Sequence, residues 1–200
     1  MSLDREVPEA QPKTVDELPN LPESLPYELI DGRLVLLDYP LAHQHLKLDL
    51  CQRLAGQVPV GSVVVHSLPL AVDQHNELRP DVVVINVDQA TRSPVPVGDV
   101  LLAVDVVTRV SHFRDLYAKT KVYAAAGVTD YWVVDPWFDD GIVLSRLRLG
   151  IGGRYELVHS TREVCITMLP FPVTIDLPEL SAGRRAVLEW VRRDRGPVIG

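Results

Sequence analysis

The sequence predicts a mixed α/β fold, in which one sheet has both parallel and antiparallel strands and carries helices on its faces. Short β-branched runs such as "DVVVINV" and "LLAVDVV" have the length and composition of buried strands. Segments of helical spacing separate several of these runs. Only one pair of strands is joined by a helix through short connections. This arrangement predicts a single right-handed parallel crossover and argues against a doubly wound sheet.

Composition limits the class of protein. The chain has 200 residues, of which 46% are hydrophobic and 24% are charged, and this is typical of one globular domain. No apolar run approaches the roughly 20 residues of a membrane span, and the polar start does not resemble a secretory signal. The two cysteines, Cys51 and Cys165, are far apart and lack metal-ligand spacing. We therefore expect a cytoplasmic protein with reduced thiols and no membrane partner.

Charge divides the chain into two predicted parts. Residues 1–25 hold six acids, two bases and several prolines, which predicts a flexible lead-in to a single domain over residues 26–200. The net charge of the whole chain is −7. The segment from Gly183 onward is basic and would serve either as the solvated face of a terminal helix or as a phosphate contact. Because general DNA binders are usually more basic, the overall charge lowers the expectation of a tight nucleic-acid partner.

The first half of the domain contains a hairpin, a helix and a series of strands. In "YELIDGRLVLL", Asp31-Gly32 between two β-prone runs predicts a tight hairpin over Tyr27–Leu37. Leucines at helical spacing predict a helix that ends at Gly56. Strands are predicted at 63–66, near Leu70 and at 81–87, and a loop at 89–98.

The second half contains the predicted crossover. A strand at 101–107 is followed by a helix over 111–126, which begins at Ser111 and ends at Gly127, and by a strand at 130–135. Beyond them, the pattern predicts an extra hairpin of 142–149 with 154–159, a strand at 173–175 and a C-terminal helix over 178–193. These additions would lie outside the parallel unit.

Asp105 is unusual because it lies in an otherwise apolar strand, where a carboxylate is costly unless it is paired or bound to a cation. If strands 81–87 and 101–107 are antiparallel neighbours with Val87 opposite Leu101, Asp81 becomes the diagonal neighbour of Asp105, about 7–8 Å away. Both carboxylates could then reach one divalent cation. Carboxylate oxygens with several waters are the ligands that Mg²⁺ prefers.

Three further polar residues are candidates for the same site, each with a simpler alternative. Lys119 interrupts the apolar stripe of the predicted helix and would either point toward Asp81 and Asp105 or form an ion pair with Asp115. Glu28 precedes the hairpin turn, where a glutamate is usually solvated. His43 shares the apolar helical face, where a hydrogen-bonded core histidine is the ordinary interpretation.

The order of these motifs resembles a known family. "YELIDGRLV", "HQ", "RPDVVVI", "LLAVDVV", "RDLYAKTKVYAAAGV" and "DYWVVDP" follow one another between Tyr27 and Pro136, over about half of the chain. This series resembles the Uma-type (Uma-two) family of restriction-endonuclease-like proteins, a branch of the PD-(D/E)XK nuclease superfamily. The resemblance implies a restriction-endonuclease-like core with flanking helices, a divalent metal (Mg²⁺ or Mn²⁺) and hydrolysis of phosphodiester bonds, with DNA as the expected partner.

The resemblance also assigns roles. Asp81 matches the aspartate of the "PD" motif, and Asp105 stands where the family usually has a glutamate, so both are expected to bind the metal. The superfamily lysine normally lies two residues after that acid, where this chain has Val107, and Lys119 matches the family's lysine on the following helix. Glu28 and His43 match an upstream glutamate and a histidine that opens the first helix.

Two departures from the family pattern support a second interpretation. Asp105 shortens the usual glutamate arm by one methylene, and "VVTRVS" replaces a stretch rich in proline and serine. Since a misplacement of about 1 Å can reduce a rate about 100-fold, the alternative is a weakened or inactive nuclease fold that binds nucleic acid or protein.

Trp137 and Phe138 follow Pro136 and would either form a homodimer surface or pack beneath a loop.

Overall fold

A computed structural model describes residues 12–22, 25–37, 39–89, 91–108, 117–138 and 140–194. The described chain has three helices of the α type. They are α1 (Leu41–Ala55), α2 (Lys119–Ala125) and α3 (Leu177–Asp194). The strands are β1 (Tyr27–Ile30), β2 (Arg33–Leu36), β3 (Ser62–His66), β4 (Leu70–Asp73), β5 (Asn76–Leu78), β6 (Val82–Asn86), β7 (Val95–Pro96), β8 (Val100–Val106), β9 (Asp130–Phe138), β10 (Gly141–Leu149), β11 (Tyr155–Thr161), β12 (Val164–Thr167) and β13 (Val173–Asp176).

The central sheet has six strands in the order β11-β10-β9-β8-β6-β3. Strands β8 and β9 are parallel, and every other neighbouring pair in this sheet is antiparallel. Helix α2 lies in the connection between the two parallel strands, as the single predicted crossover requires. The mixed α/β class predicted from the sequence is therefore confirmed.

Apolar layers cover both faces of the central sheet. Along β8, Leu102, Val104 and Val106 pack in one layer with leucines of α1 and α3, whereas Ala103 belongs to the opposite layer, which contains Tyr123 of α2. Burial of a side chain of this size contributes about 1.5–3 kcal/mol to folding. Because side chains alternate along a strand, Asp105 falls on the same face as Ala103, toward α2.

A second sheet, of five strands in the order β2-β1-β5-β4-β7, carries the predicted hairpin. Asp31 and Gly32 both have positive φ, 48° and 72°, which are the values that a tight two-residue hairpin turn needs. A Cβ atom at Gly32 would lie 2.5 Å from the Cβ of Pro12, so the turn accepts only glycine without a local shift. The hairpin fixes Glu28 in β1, with its side chain buried.

Part of the segment predicted as a lead-in packs on this second sheet. A 3-10 helix over Val15–Asn20 places Leu18 in the core, with 5% of its surface exposed. Backbone hydrogen bonds join Lys13 N to Gly32 O (2.8 Å) and Val15 N to Gln74 O (3.0 Å). Residues 13–18 thus contribute contacts that a linker would not make, and the predicted boundary near residue 25 stays a prediction.

Several elements differ from those predicted from the sequence. Short strands β5, β7 and β12 were not expected, and β7 lies inside the predicted loop of 89–98. Each is at most four residues long, too short for a periodic pattern to identify. Helix α2 is described only from Lys119, so the predicted helix start at Ser111 lies outside the described residues. Within the described ranges, no helix is long and apolar enough to span a membrane.

The pairing of β6 with β8 corrects the predicted register. Val82 lies opposite Val104 and Val83 opposite Ala103, two residues away from the predicted pairing of Val83 with Asp105. Extension of the observed register by one residue brings Asp81 directly opposite Asp105 instead of diagonal to it. A shift of two residues preserves the alternation of side chains, so the two acids still approach each other at the end of the sheet.

Candidate active site

Asp105 lies near the end of β8 with only 1% of its surface exposed, and its carboxylate is hydrogen-bonded within the protein. Lys119 Nζ donates to Oδ1 (2.8 Å), and the Tyr131 hydroxyl donates to Oδ2 (2.9 Å). The backbone N of Asp81 lies 3.4 Å from Oδ1. These contacts explain how an apolar strand tolerates a carboxylate, because a cationic partner and further hydrogen-bond donors offset the cost of burying its charge.

Lys119, the first residue of α2, holds two buried carboxylates together. Its ammonium lies 2.7 Å from Glu28 Oε1 and 2.8 Å from Asp105 Oδ1. Glu28 Oε1 also accepts a hydrogen bond from the backbone N of Arg79 (2.9 Å). We call Glu28, Asp105, Lys119 and Tyr131 the paired cluster, since its acids and its lysine bind one another. Beside it, burial raises the pKa of Tyr123 well above its usual range, and the negative charge of Asp105 adds to this effect.

Asp81 comes directly before β6 and is held through only one of its oxygens. Oδ2 accepts hydrogen bonds from the backbone N of Val106 (2.8 Å) and from His43 Nε2 (3.1 Å). Oδ1 is buried and has no hydrogen-bond partner among the described residues. A buried carboxylate oxygen in this state loses its hydration without compensation unless a ligand binds it.

His43, in the first turn of α1, orients Asp81. Its Nε2 lies 3.1 Å from Asp81 Oδ2 and 3.0 Å from the carbonyl oxygen of Val106, and both of these atoms accept hydrogen bonds. Nε2 must therefore carry the proton. Its Nδ1 is buried with no hydrogen-bond partner in the described part of the chain. The neutral tautomer with hydrogen on Nε2 satisfies this arrangement best, because imidazolium would bury an unpaired N–H.

Lys47, one helical turn after His43, was not among the residues predicted from the sequence. It is 3% exposed, and its ammonium donates to Ser67 Oγ (3.0 Å) and lies 4.9 Å from the centre of the Tyr39 ring. The Tyr39 ring also stacks on the His43 imidazole, with 4.8 Å between centroids. The spacing His43–Leu46–Lys47–Leu50 on one helical face could have identified this buried lysine.

Ser67 connects Lys47 to the backbone of the aspartate segment. Its own backbone N lies 3.1 Å from Pro80 O and 3.3 Å from Asp81 O, and its φ of 52° is uncommon for a residue other than glycine. We call His43, Lys47, Ser67 and Asp81 the open cluster, because Asp81 Oδ1, His43 Nδ1 and two of the three ammonium hydrogens of Lys47 have no hydrogen-bond partner in the described structure. Burial lowers the pKa of Lys47, and the charge of Asp81 acts in the opposite direction.

The donor set is compatible with a divalent cation bound by few protein ligands. Asp81 Oδ1 is an anionic oxygen without a partner, and Asp105 lies beside it in the sheet. With His43 neutral, three buried carboxylates face two buried ammonium groups, which leaves one formal negative charge. The described residues contain no group of three metal-binding side chains. Mg²⁺ commonly uses one or two carboxylates, with water and substrate oxygens completing its coordination.

The structure brings all five residues predicted from the sequence to one end of the sheet. Lys119 contacts Glu28 and Asp105 directly, Asp81 meets Asp105 through its backbone N, and His43 joins through Asp81. Their assignment to catalysis or metal binding stays a prediction. The alternative ion pair of Lys119 with Asp115 lies outside the described residues.

Trp137 and Phe138, which suggested a homodimer surface or a packed loop, belong to β9. Trp137 donates through Nε1 to Val107 O (3.0 Å). The guanidinium groups of Arg184 and Arg162 lie 5.2 Å from the centres of the Trp137 and Phe138 rings, respectively. Both aromatic rings therefore have partners within the chain, although each keeps close to half of its surface exposed.

Comparison with known proteins identifies a family and a similar solved structure. The family model described as "Uma2: Putative restriction endonuclease" matches residues 12–180. The crystal structure of a "putative nuclease belonging to DUF820" from Anabaena variabilis is similar, with a TM-score of 0.68 and 15% sequence identity. The similarity covers 86% of this chain and 99% of that chain, and at this identity it shows a common fold. No curated protein matches the chain.

The family match begins at residue 12, so it includes the 3-10 helix that packs on the five-stranded sheet as well as both clusters of the candidate site. It extends through the C-terminal hairpin into the first residues of α3. This coverage is much wider than that of the motifs between Tyr27 and Pro136. The chain therefore belongs to the Uma2 family.

Proposed function

We propose that this protein is a metal-dependent nuclease that hydrolyses phosphodiester bonds of DNA. The observation that carries the proposal is Asp81, a buried carboxylate with one oxygen held by Val106 N and His43 and the other without a described partner. Membership in the Uma2 family supports a nuclease-like activity. Asp81 and Asp105 would hold the cation, Mg²⁺ or Mn²⁺.

A bound divalent cation would supply a Lewis acid for the phosphoryl oxygen and a water of lowered pKa. Around it, His43 keeps Asp81 Oδ2 occupied and thereby leaves Oδ1 for the cation, which is the role of a residue that orients a ligand. Lys119 places a positive charge between Glu28 and Asp105, where it would oppose negative charge that develops on the phosphate. Glu28 in turn holds the Lys119 ammonium in position.

The central experiment measures metal binding and cleavage separately. Calorimetric titration of Mg²⁺ and Mn²⁺ into the protein should show binding, and supercoiled plasmid should be nicked in the presence of the same ions. Asp81→Asn should abolish both, because the substitution removes the anion and preserves the volume. Asp140→Asn, at a side chain 79% exposed, is the matched control and should change neither. Absence of both binding and cleavage in the unsubstituted protein would refute the proposal.

A second function, that of a nuclease fold that binds nucleic acid or protein without cleaving it, is favoured by the state of the paired cluster. Glu28, Asp105 and Lys119 are each at most 2% exposed and form ion pairs with one another. In this arrangement Lys119 stabilises the fold whether or not a substrate is present. Metal binding without cleavage, together with measurable DNA binding, would support this second function.

A further inference from the structure

Lys47 is a buried ammonium group that the proposed reaction does not use. It is 3% exposed, and its hydrogen-bond partner in the described structure is the neutral hydroxyl of Ser67. No described carboxylate lies within ion-pair distance of it. By contrast, Lys119, buried to the same degree, contacts two carboxylates at 2.7 and 2.8 Å. Burial of an ammonium that has one neutral acceptor and an aromatic ring beside it is costly, and this cost is an argument for a ligand at Lys47.

The position of Lys47 indicates what it would bind. It follows His43 by one turn on the same face of α1, and Ser67, its hydrogen-bond partner, contacts the backbone oxygens of Pro80 and Asp81. Lys47 therefore lies beside Asp81, on the α1 side of the sheet end, whereas Lys119 approaches from α2. Two ammonium hydrogens are left for an anion in the open cluster.

The formal charges of the site agree with a phosphodiester. Without a ligand, three carboxylates and two lysines leave one negative charge. A divalent cation would convert this to one positive charge, which equals in magnitude the single negative charge of a phosphodiester group. An ammonium with unused donors beside the metal-binding carboxylate is suited to hold such a group by charge-assisted hydrogen bonds.

We infer that Lys47, positioned by Ser67 and by the ring of Tyr39, binds a phosphate group of the nucleic-acid substrate. Lys119 is held by Glu28 and Asp105, so Lys47 is the lysine of the site that has donors left for the substrate. This inference rests on the proposed function, because it names the substrate contact of the same site. Strain at Ser67, whose φ is 52°, is consistent with a residue held in place for a ligand contact.

The test uses binding of a short fluorescein-labelled DNA duplex, measured by fluorescence anisotropy both in EDTA and in Ca²⁺, a divalent cation that binds oxygen ligands, with gel analysis to show that the duplex stays intact. Lys47→Met should weaken binding about tenfold at low salt and should reduce the slope of log affinity against log salt by about 1. Lys121→Met, at a side chain 77% exposed on α2, is the matched control and should leave both quantities close to those of the unsubstituted protein. Unchanged affinity and slope in Lys47→Met under both conditions would overturn the inference.

Thermal unfolding of the free protein separates substrate binding from a structural role. An ammonium retained for a ligand should not stabilise the empty protein, so Lys47→Met should leave the melting temperature unchanged or raise it. A lower melting temperature with unchanged DNA affinity would assign Lys47 to the fold and overturn the inference.

If Lys47→Met does not fold, Lys47→Arg and Ser67→Ala replace it. The arginine variant should keep the salt slope, and loss of the Ser67 hydroxyl should weaken binding about threefold; no change in Ser67→Ala would contradict the inference.

Two further comparisons show whether the bound phosphate belongs to DNA and whether a negative result refutes the inference or the proposed nuclease function. If inorganic phosphate binds the unsubstituted protein but not Lys47→Met, while the two proteins bind DNA equally well, the subsite binds free phosphate and the nucleic-acid inference is overturned. A protein that cleaves DNA but in which Lys47→Met keeps full affinity refutes the inference alone. A protein that binds DNA through Lys47 but neither binds metal nor cleaves DNA refutes the proposed nuclease function alone.

Discussion

The two halves of the candidate site differ in how their charges are satisfied. In the paired cluster, Lys119 lies between Glu28 and Asp105, and Tyr131 donates to the second oxygen of Asp105. In the open cluster, Asp81 uses one oxygen, His43 uses one nitrogen, and the Lys47 ammonium donates only to the Ser67 hydroxyl, with the centre of the Tyr39 ring 4.9 Å away. The charged side chains of both clusters are buried at the same end of the sheet, so solvent exposure does not distinguish them. We therefore expect the paired cluster to contribute more to stability, and the open cluster to keep more donors and acceptors for a ligand.

The largest expected effect concerns the lysine of the paired cluster. Lys119→Met leaves Glu28 and Asp105 buried without their shared cation, and breaking a buried ion pair typically costs about 3–5 kcal/mol. Urea unfolding of the metal-free protein should therefore show a loss of this size. The open cluster supplies the control: Lys47→Met should cause no comparable loss. If the two lysine variants are equally destabilised, the contrast between the clusters is wrong.

Asp105→Asn should have the next largest effect. The amide cannot retain the charge that holds Lys119, although its carbonyl oxygen can accept one of the two hydrogen bonds, so we expect a loss of about 1.5–3 kcal/mol. If Asp105 were present only to bind a metal, Asp105→Asn would instead increase the stability of the metal-free protein, because the substitution would relieve repulsion from Asp81. The free energy of unfolding in EDTA decides between the two. A more stable Asp105→Asn protein would show that the Asp105 carboxylate is retained for a ligand and not for stability.

Asp81→Asn should change stability less than Asp105→Asn does. An asparagine can keep an oxygen facing Val106 N and His43, and the change removes a charge whose second oxygen has no described partner. We expect a change of about 1 kcal/mol or less without metal. With Mg²⁺ or Mn²⁺ present, the unsubstituted protein should gain stability through binding and Asp81→Asn should not. A strong loss of stability in EDTA would place Asp81 among the structural residues.

The smallest expected effect is a pH dependence caused by Lys47. Because burial lowers its pKa in the folded protein, the unfolded chain binds this proton more strongly, and the free energy of unfolding should rise as the pH increases toward 10.5. Lys47→Met should lack this rise. Cys51 contributes with the opposite sign above pH 9, since burial raises its pKa from 9.0 to about 11, and Cys51→Ala in both proteins removes that term. Identical pH profiles with and without Lys47 would contradict the expectation.

Sequence patterns were sufficient for the class of fold and for the identity of most polar residues at the site. Alternating and continuous apolar runs identify β6, β8 and β9, and Asp31-Gly32 identifies the hairpin, because these signals are local. A carboxylate within an apolar strand also indicates by itself that a partner exists, since burial of an unpaired charge is costly. Asp81, Asp105 and Lys119 were therefore recognisable as a group before their distances were known.

The division of that group into a paired and an open cluster depended on the tertiary structure. The register of β6 against β8 differs by two residues from the predicted one, and sequence period alone cannot distinguish registers that keep the same face inward. The partner of Asp105 comes from α2, that of Asp81 from α1, and Glu28 arrives from a separate sheet. The spacing of α1 could indicate that Lys47 is buried, but only the tertiary structure shows that Ser67 is its hydrogen-bond partner. Such contacts join residues far apart in the chain, and they are set by the packing of whole elements, which no local pattern encodes.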